Sequence, residues 1–242
     1  MAHVAVVLAA GGSRRLGRPK QLLTRAGEPL LRRSARLALA SGAARTLVVL
    51  GAEADAMAVA LFGLDLECVL NPDWADGLAG SLRCAARALG ADAAAVLVLG
   101  CDQPALEADH LRRLLHGAAT AASGCAATVH GEEFALDSRV GPASAVAAAD
   151  AQIAAIAARK PNTPGISGTA IAPALGVPAV LSPALWREAA QLHGDRGFGA
   201  ALRRLPADAV WRLRAPELQH DLDTPEDLAL AVACGWIDAP VA

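Results

Sequence analysis

Tyrosine is absent from the 242-residue chain, and the whole aromatic content is only 3%. The hydrophobic residues are mostly alanine, leucine and valine, so we expect a core built from many small aliphatic contacts. No apolar run reaches the roughly 18–20 residues that span a bilayer. The first run stops at Gly11 and lacks the charged start of a signal peptide. These absences predict a cytoplasmic protein with no membrane partner.

A disulfide framework and a basic surface are also missing. The five cysteines are odd in number and scattered, with no Cys-x-x-Cys pair, which argues against disulfides and a structural zinc site. The net charge of −2 offers no positive field for nucleic acid. We therefore expect reduced thiols and a small-molecule substrate.

Lysine is rare as well, because only Lys20 and Lys160 occur among 22 basic residues. Lys20 lies in LAAGGSRRLGRPKQLL (residues 8–23), directly after an apolar run typical of a buried first strand. Open α/β sheets bind phosphorylated ligands at such a glycine-rich turn. A compact ammonium is not replaced equivalently by a guanidinium. The segment therefore predicts a triphosphate cradle.

The cradle would consist of the backbone N–H groups of Gly11, Gly12 and Ser13. The side-chain cations of Arg14, Arg15 and Lys20 would close over them. A Walker A loop is excluded, because Arg18 and Pro19 separate Lys20 from the last glycine. The glycine spacing also differs from the dinucleotide fingerprint. A flexible surface turn with solvated cations is the alternative.

Apolar runs alternate with helical patterns along the chain, which predicts βαβ units and a largely parallel sheet. We expect strands at residues 4–8, 46–50, 66–70, 94–99, 124–129 and 209–213. Helices are expected over residues 29–40, 54–61, 78–89, 108–121, 147–160 and 225–233, with a turn cluster at residues 161–165.

Three aspartates are metal-ligand candidates. Asp102 follows the apolar strand at the ligand-binding edge, where a carboxylate suits Mg²⁺; the alternative is a turn before Pro104. Asp221 and Asp223 alternate about Leu222, so both share a face if that stretch is extended, and a cation between them would relieve their repulsion. The alternative there is helix capping, which we assign to Thr224 and Asp227 instead.

Segment 71–83 joins a strand to a helix, and its small residues let backbone approach a flat ligand. Trp74 is expected in the core. Arg83 is either a solvated helix residue or a phosphate contact. Asp195 is either the N-cap of the following helix or a ligand contact. His193 and His220 have no evident triad partner, and we expect both to be structural.

Six segments together resemble the MobA-like nucleotidyltransferases, and most of all their molybdenum cofactor cytidylyltransferase branch. Besides residues 8–23 they are NPDWADGLAGSLRCA (71–85), VLGCDQPAL (98–106), LGVPAVLSPALW (175–186), LHGDRGFGAALRR (192–204) and DLDTPEDL (221–228). The resemblance implies a three-layer, Rossmann-like (glycosyltransferase-A-like) α/β fold with a mostly parallel mixed sheet. It also implies transfer of CMP from CTP to the phosphate of molybdenum-bearing molybdopterin, with release of pyrophosphate.

The resemblance also implies roles for individual residues. Lys20, Arg15 and Asp102 would be catalytic, Asp102 and Asp221 would hold Mg²⁺, and Asp195 and Asp223 would bind the acceptor. The nucleotide would contact Leu8, Ala9, Ala10, Gly11, Gly12, Ser13, Arg15, Lys20, Asn71, Gly77, Gly80, Ser81 and Asp102. Guanylyl relatives more often carry glycine at the position of Ala10, whose side chain would narrow the base pocket and favour a pyrimidine.

We expect one domain over residues 1–242, with a nucleotide-binding half (1–105) and an acceptor-binding half (106–242) that carries an insertion near residues 130–167. A molybdenum hydroxylase would be the partner that receives the product. The alternatives are a guanylyltransferase for the same cofactor, a sugar-phosphate nucleotidyltransferase, and a non-catalytic cofactor-binding chaperone for an oxidoreductase. The presence of Lys20, Asp102 and Asp221 favours an enzyme.

Overall fold

The computed structural model describes residues 1–90, 94–131 and 174–239. By its contacts the chain divides into one unit of Met1–Gly131 with Ala174–Ala242 and a second unit of Glu132–Pro173. The second unit lies outside the described residues, as do the predicted helix at 147–160, the turn cluster at 161–165 and nearly all of the predicted insertion. The division into two functional halves therefore stays a prediction.

A seven-stranded sheet forms the centre of the described unit, in the order β5-β4-β1-β6-β8-β7-β9, and a two-stranded ribbon pairs β2 with β3. The strands are β1 (His3–Leu8), β2 (Thr24–Arg25), β3 (Glu28–Pro29), β4 (Thr46–Leu50), β5 (Glu67–Leu70), β6 (Ala95–Gly100), β7 (Cys125–His130), β8 (Ala174–Leu181) and β9 (Val210–Leu213). Only β8 runs antiparallel to its neighbours in this sheet. The predicted mostly parallel mixed sheet is confirmed.

Helices cover both faces of the sheet, and all the helices predicted within the described residues are present with small shifts of their ends. The α-helices are α1 (Leu30–Ala40), α2 (Ala54–Ala60), α3 (Leu78–Leu89), α4 (Ala108–Thr120), α5 (Pro183–Trp186), α6 (Gly199–Arg204) and α7 (Pro225–Ala233). Short 3₁₀ turns occupy Lys20–Leu22, Trp74–Asp76, Arg187–Gln191 and Pro216–Gln219.

The central strands are apolar on both faces, which is why the sheet is a buried middle layer. Ala5 and Val7 of β1 pack with α1, α2 and α4 on one face. Val4 and Val6 pack with α3, α5 and α6 on the other. Leucine, valine and alanine make up most of both clusters, as the composition predicts. The three-layer architecture is thereby confirmed.

Strand β8 was not predicted, because Gly176 and Pro178 interrupt its apolar pattern. The pairing explains how the sheet accepts the proline. The register against β7 shifts after Ala127, so that Ala127 pairs with Ala179 while the next residue, Thr128, pairs with Gly176. Pro178 falls in this irregularity, where its missing N–H removes no ladder hydrogen bond.

The functional edge of the sheet follows from the pairing of β1 with β6. The two strands run parallel, and Leu8 at the end of β1 lies opposite Gly100 at the end of β6. The glycine-rich loop and Asp102 therefore leave the sheet side by side.

In the described parts of the chain, no helix is long and apolar enough to cross a membrane.

Candidate active site

The glycine-rich loop is tied back to β1 by Gln21, whose side chain is buried. Its amide group donates to the carbonyls of Ala9 (3.1 Å) and Gly11 (2.6 Å). Ser13 has a left-handed backbone (φ 48°), and its hydroxyl donates to Gln21 Oε1 and accepts from the Lys20 N–H. These bonds hold the loop in one shape, which disfavours a flexible surface turn.

The N–H groups of Gly11, Gly12 and Ser13 are the predicted anion donors. Within the described ranges none of the three donates to a protein atom. Peptide N–H groups that lack a protein acceptor at a strand end are suited to an anionic ligand. The arrangement is therefore compatible with a triphosphate in this loop.

Lys20 is the centre of an ion-pair cluster that joins three parts of the chain. Its ammonium lies 2.8 Å from Asp102 Oδ2 and 2.8 Å from Asp223 Oδ1. Burial alone would lower the pKa of Lys20, but the two carboxylates outweigh it and raise that pKa, so the side chain is a permanent cation. Arg15 completes the cluster, because its guanidinium lies 2.8 Å from Asp223 Oδ2.

Asp221 and Asp223 flank Leu222, which is buried and whose N–H donates to the Asp102 carbonyl (2.9 Å). Burial raises the pKa of Asp223, but Lys20 and Arg15 outweigh it and hold that pKa below its usual value. Burial of the Asp221 carboxyl and the charge of Asp102 instead raise the pKa of Asp221 from 3.8 to about 7. Negative charge is thus in excess beside Lys20.

This excess of charge and the hard oxygen donors fit a divalent cation. In the described part of the chain, no group of three or more His, Cys, Asp or Glu side chains is arranged to hold a metal by itself. A cation here would therefore take some ligands from phosphate oxygens and water, which is the usual situation for Mg²⁺ in nucleotide sites. Asp102 and Asp221 remain the proposed protein ligands.

The two neighbouring aspartates should have opposite effects on the stability of the metal-free protein. The Asp221 carboxyl has a raised pKa, so its ionisation destabilises the fold progressively from pH 3.8 to about 7. Asp221→Asn should therefore melt like the parent near pH 4 and higher at pH 8. Protein atoms surround the Asp221 carboxyl, but the residue keeps an exposed surface, so water screens part of the repulsion. We therefore expect the melting temperature at pH 8 to rise by about 2–4 °C.

Asp223→Asn is the matched control, since the pKa of Asp223 is lowered and its charge stabilises the fold above its unfolded pKa. That variant should melt below the parent throughout pH 4–8, because the stabilising charge is lost only as the pH falls below the unfolded pKa of 3.8. Thermal melts in chelator across this pH range are the measurement. A gain for Asp221→Asn that does not change with pH would contradict the assignment.

Segment 71–83 brings together Asn71 and Ser81, two of the predicted nucleotide contacts, but their side chains bind within the segment. Asn71 Nδ2 donates to Ser81 Oγ (3.2 Å), Asn71 Oδ1 accepts from the Asp73 N–H (3.2 Å), and both residues are buried. A methyl group at Gly80 would lie 3.2 Å from Asn71 Nδ2, so Gly80 gives the amide room. A nucleotide would therefore meet the backbone of this segment and not these two side chains.

Gly77 and Asp195 are also brought together. Gly77 has φ 100°, and a Cβ there would collide with Asp195 and with the backbone of Gly194. Asp195 is not a helix N-cap, because α6 begins at Gly199 with Phe198 as its N-cap residue. Asp195 and Asp223, the two predicted acceptor ligands, thus contact different parts of the site.

Three further expectations can be compared with the structure. Arg83 is half-buried and donates to the Leu192 carbonyl, which disfavours a fully solvated side chain and gives it a structural contact. Thr224 and Asp227 form the predicted reciprocal cap of α7. The His220 ring packs against Trp236 in a tilted arrangement with ring centroids 5.5 Å apart, as a structural histidine can.

Trp74, which was expected in the core, is only half buried and packs against the edge of the core. A methyl group at Gly12 or Gly51 would collide with its side chain, so the indole packs directly on the glycine-rich loop and on the end of β4. The Arg14 guanidinium lies 5.5 Å from the centre of the indole ring. Trp74 therefore supports the loop while it covers part of the core.

An apolar cavity of about 280 Å³ lies on the α3 face of the sheet. Leu8, Val98, Val177, Leu78 and Phe198 are among its lining residues, and all of the lining residues are apolar or glycine. Leu8 immediately precedes the glycine-rich loop, so the cavity adjoins the start of that loop.

The chain was compared with known proteins. A family model for the MobA-like NTP transferase domain matches residues 5–210. Nicotine blue oxidoreductase of Paenarthrobacter nicotinovorans is 38% identical over 116 residues, which is 46% of this chain and 54% of that protein. The match thus spans about half the length of that curated relative.

Solved structures share the fold over nearly the whole chain. Rv0371c of Mycobacterium tuberculosis H37Rv superposes with a TM-score of 0.65 at 24% identity, covering 96% of this chain and 99% of that one. A structure of Rv0371c with manganese gives a TM-score of 0.62 at 22% identity, covering 95% and 97%. Molybdopterin-guanine dinucleotide biosynthesis protein A of Archaeoglobus fulgidus gives 0.57 at 17% identity, covering 96% and 98%.

The family match covers most of the chain, and the described fold has the mostly parallel mixed sheet that the resemblance implies. The chain therefore belongs to the MobA-like NTP transferases.

Proposed function

We propose that this nucleotidyltransferase moves CMP from CTP to the phosphate of molybdenum-bearing molybdopterin and releases pyrophosphate. The observation that carries the proposal is the Lys20 ammonium, bonded to Asp102 and Asp223 beside a loop whose N–H groups suit an anion. A partly buried permanent cation and a surplus carboxylate at one strand edge match the charges of a metal-bound triphosphate. A molybdenum hydroxylase that accepts the product is the proposed partner.

The proposed reaction needs positioning and charge stabilisation more than a base. The acceptor phosphate is already anionic at neutral pH, and one of its oxygens attacks the α-phosphorus of CTP in line. A new P–O bond forms, the bond from the α-phosphorus to the bridging oxygen breaks, and pyrophosphate leaves with that electron pair. Lys20 and Arg15 stabilise the triphosphate oxygens as charge moves to the leaving group.

Asp102 and Asp221 are the residues that would hold Mg²⁺. When bound, the ion would neutralise charge on the α- and β-phosphates. The neighbouring Leu222 N–H bond to the Asp102 carbonyl keeps the two carboxylate-bearing segments together before substrate arrives. Less reorganisation is then needed when the nucleotide binds.

The cavity favours a particular class of acceptor. Its lining offers no side-chain hydrogen-bonding group. Sugar hydroxyls placed there would lose their hydrogen bonds to water without replacement. The face of a pterin ring could pack on this lining if the polar edge of the ring, with its N–H and C=O groups, points out of the cavity. The cavity therefore supports a molybdopterin acceptor over a sugar phosphate, with Asp195 and Asp223 as the proposed polar contacts outside it.

The preference for CTP is tested by measuring pyrophosphate release with each NTP, with and without the molybdenum-bearing pterin. In competition between equimolar CTP and GTP, we expect the cytidylylated product to dominate by mass. The Ala10 methyl group is buried and fills space next to Gly51 beneath the loop, so Ala10→Gly should loosen the base pocket and relax the preference.

Ala38→Gly in α1 is the matched control, because it removes a buried methyl group far from the loop in sequence. It should lower the melting temperature without changing the product ratio. A mainly guanylylated product would overturn the cytidylyl assignment. Absence of pyrophosphate release with every NTP and the pterin would overturn the proposed reaction as a whole.

A further inference from the structure

Gln103 follows Asp102, and its side chain is buried although the proposed chemistry does not use it. Its Nε2 donates to the carbonyl of Val177 (3.1 Å) and to the carbonyl of Leu218 (2.9 Å). Both partners are acceptors, so only the NH₂ end of the amide can face them. The orientation of this side chain is therefore determined by its surroundings.

The two carbonyls belong to different parts of the fold. Val177 lies in β8 and lines the apolar cavity. Leu218 lies in the 3₁₀ turn Pro216–Gln219, three residues before Asp221. One buried amide thus connects the wall of the cavity, the strand end that carries Asp102 and the segment that carries Asp221.

A second hydrogen bond also holds the 218–222 segment beside Asp102. The Leu222 N–H donates to the Asp102 carbonyl, so residues 102 and 103 hold the 218–222 segment at two points. The segment needs such anchoring, because the carboxylates of Asp102, Asp221 and Asp223 repel one another across a small space. Lys20 and Arg15 contact Asp223, whereas neither makes a salt bridge to Asp221 in the described structure.

We propose that Gln103 is a positioning residue of nucleotidyl transfer, which holds the Asp221 segment against Asp102 and links it to the cavity wall at Val177. The inference rests on the proposed function, because it assumes that Asp102 and Asp221 bind one divalent cation. Gln103 touches neither nucleotide nor acceptor in this account. It acts by keeping the two carboxylates at a separation that suits the ion.

The test replaces Gln103 with methionine, which has a similar length and volume but donates no hydrogen bond. Mn²⁺ binding is measured by electron paramagnetic resonance, with Mn²⁺ alone and then with Mn²⁺ and CTP. We expect Gln103→Met to weaken Mn²⁺ binding about 10–100-fold, the range found when a group that orients a metal ligand is lost. KM for the metal–nucleotide complex should rise more than kcat falls.

Thr128→Val is the matched control. Thr128 is fully buried and donates to the Pro178 carbonyl (2.8 Å), next to Val177, but makes no bond to the 218–222 segment. It should lower the melting temperature and leave the affinity for Mn²⁺ unchanged. Equal Mn²⁺ affinity for Gln103→Met and Thr128→Val would overturn the positioning role.

If Gln103→Met does not fold, Gln103→Asn decides the question, because its shorter amide cannot reach both carbonyls. Weakened Mn²⁺ binding by the folded asparagine variant supports the proposal, and parental affinity refutes it. Measurements on the parent protein distinguish a failure of the proposed function from a failure of the role proposed for Gln103. A parent that binds no Mn²⁺ and releases no pyrophosphate refutes the proposed function, whereas an active parent with an unaffected Gln103 variant refutes only the role of Gln103.

Discussion

Asp102→Asn should reduce kcat/KM for nucleotidyl transfer by about 10²–10³, the usual effect of removing one charged group that stabilises the transition state. Asparagine keeps the shape of the side chain but loses the charge that Lys20 contacts at 2.8 Å. It should also weaken Mn²⁺ binding, because the amide is a poorer ligand than a carboxylate. Pyrophosphate release and Mn²⁺ titration are the measurements.

A control variant should separate the specific effect of losing the Asp102 carboxylate from a nonspecific effect on folding or activity. Asp109→Asn provides the control, since Asp109 is an exposed carboxylate on α4 that pairs with Arg112. That change should leave both the rate and metal binding near the parental values. Asp102→Asn turning over like the parent at saturating Mg²⁺, with a normal melting curve, would remove Asp102 from the mechanism.

Substitution of Lys20 should lower kcat/KM as much as substitution of Asp102. A substitution that keeps the positive charge should also lower it. Lys20→Met removes the only cation that contacts both Asp102 and Asp223 in the described residues, and we expect a loss on the order of 10²–10³ in kcat/KM. Lys20→Arg keeps the charge, but a planar guanidinium cannot occupy the position of a compact ammonium between two carboxylates. It should restore only part of the rate.

Arg18→Lys is the control for Lys20→Arg, because Arg18 is exposed in the same loop and makes no ion pair within the described residues. It should be nearly silent in steady-state kinetics. Should Lys20→Arg be equally silent, the loop cations would act as an unspecific positive surface and the assigned role of Lys20 would be wrong.

Much of the fold was predictable because its signals are local. The apolar runs of β1 and β6 are buried on both faces, and such strands are visible as uninterrupted aliphatic stretches. The cap of α7 was predictable because Thr224 and Asp227 satisfy each other within one turn. Strand β8 was missed because its proline is tolerated only through an irregular register with β7.

The site was partly predictable for the same reason. Lys20 and Asp102 follow strand ends, and the ends of neighbouring parallel strands meet at one edge. Gln21 and Gln103 were missed, although a buried glutamine needs partners for its amide. Their partners are backbone carbonyl groups 10 to 115 residues away. Every residue has such a carbonyl, so the residue types in a sequence do not show which one accepts the bond.

The sequence by itself determined the elements, the phosphate-type loop and the residues that could hold a cation, since periodicity, capping and strand-end position depend on near neighbours. The tertiary structure alone decided which groups meet. Lys20 and Asp223 are 203 residues apart, and Asp221 has a raised pKa because the fold buries its carboxyl and brings Asp102 beside it. Coulomb interactions and hydrogen bonds depend on distance in space, and strand order sets that distance.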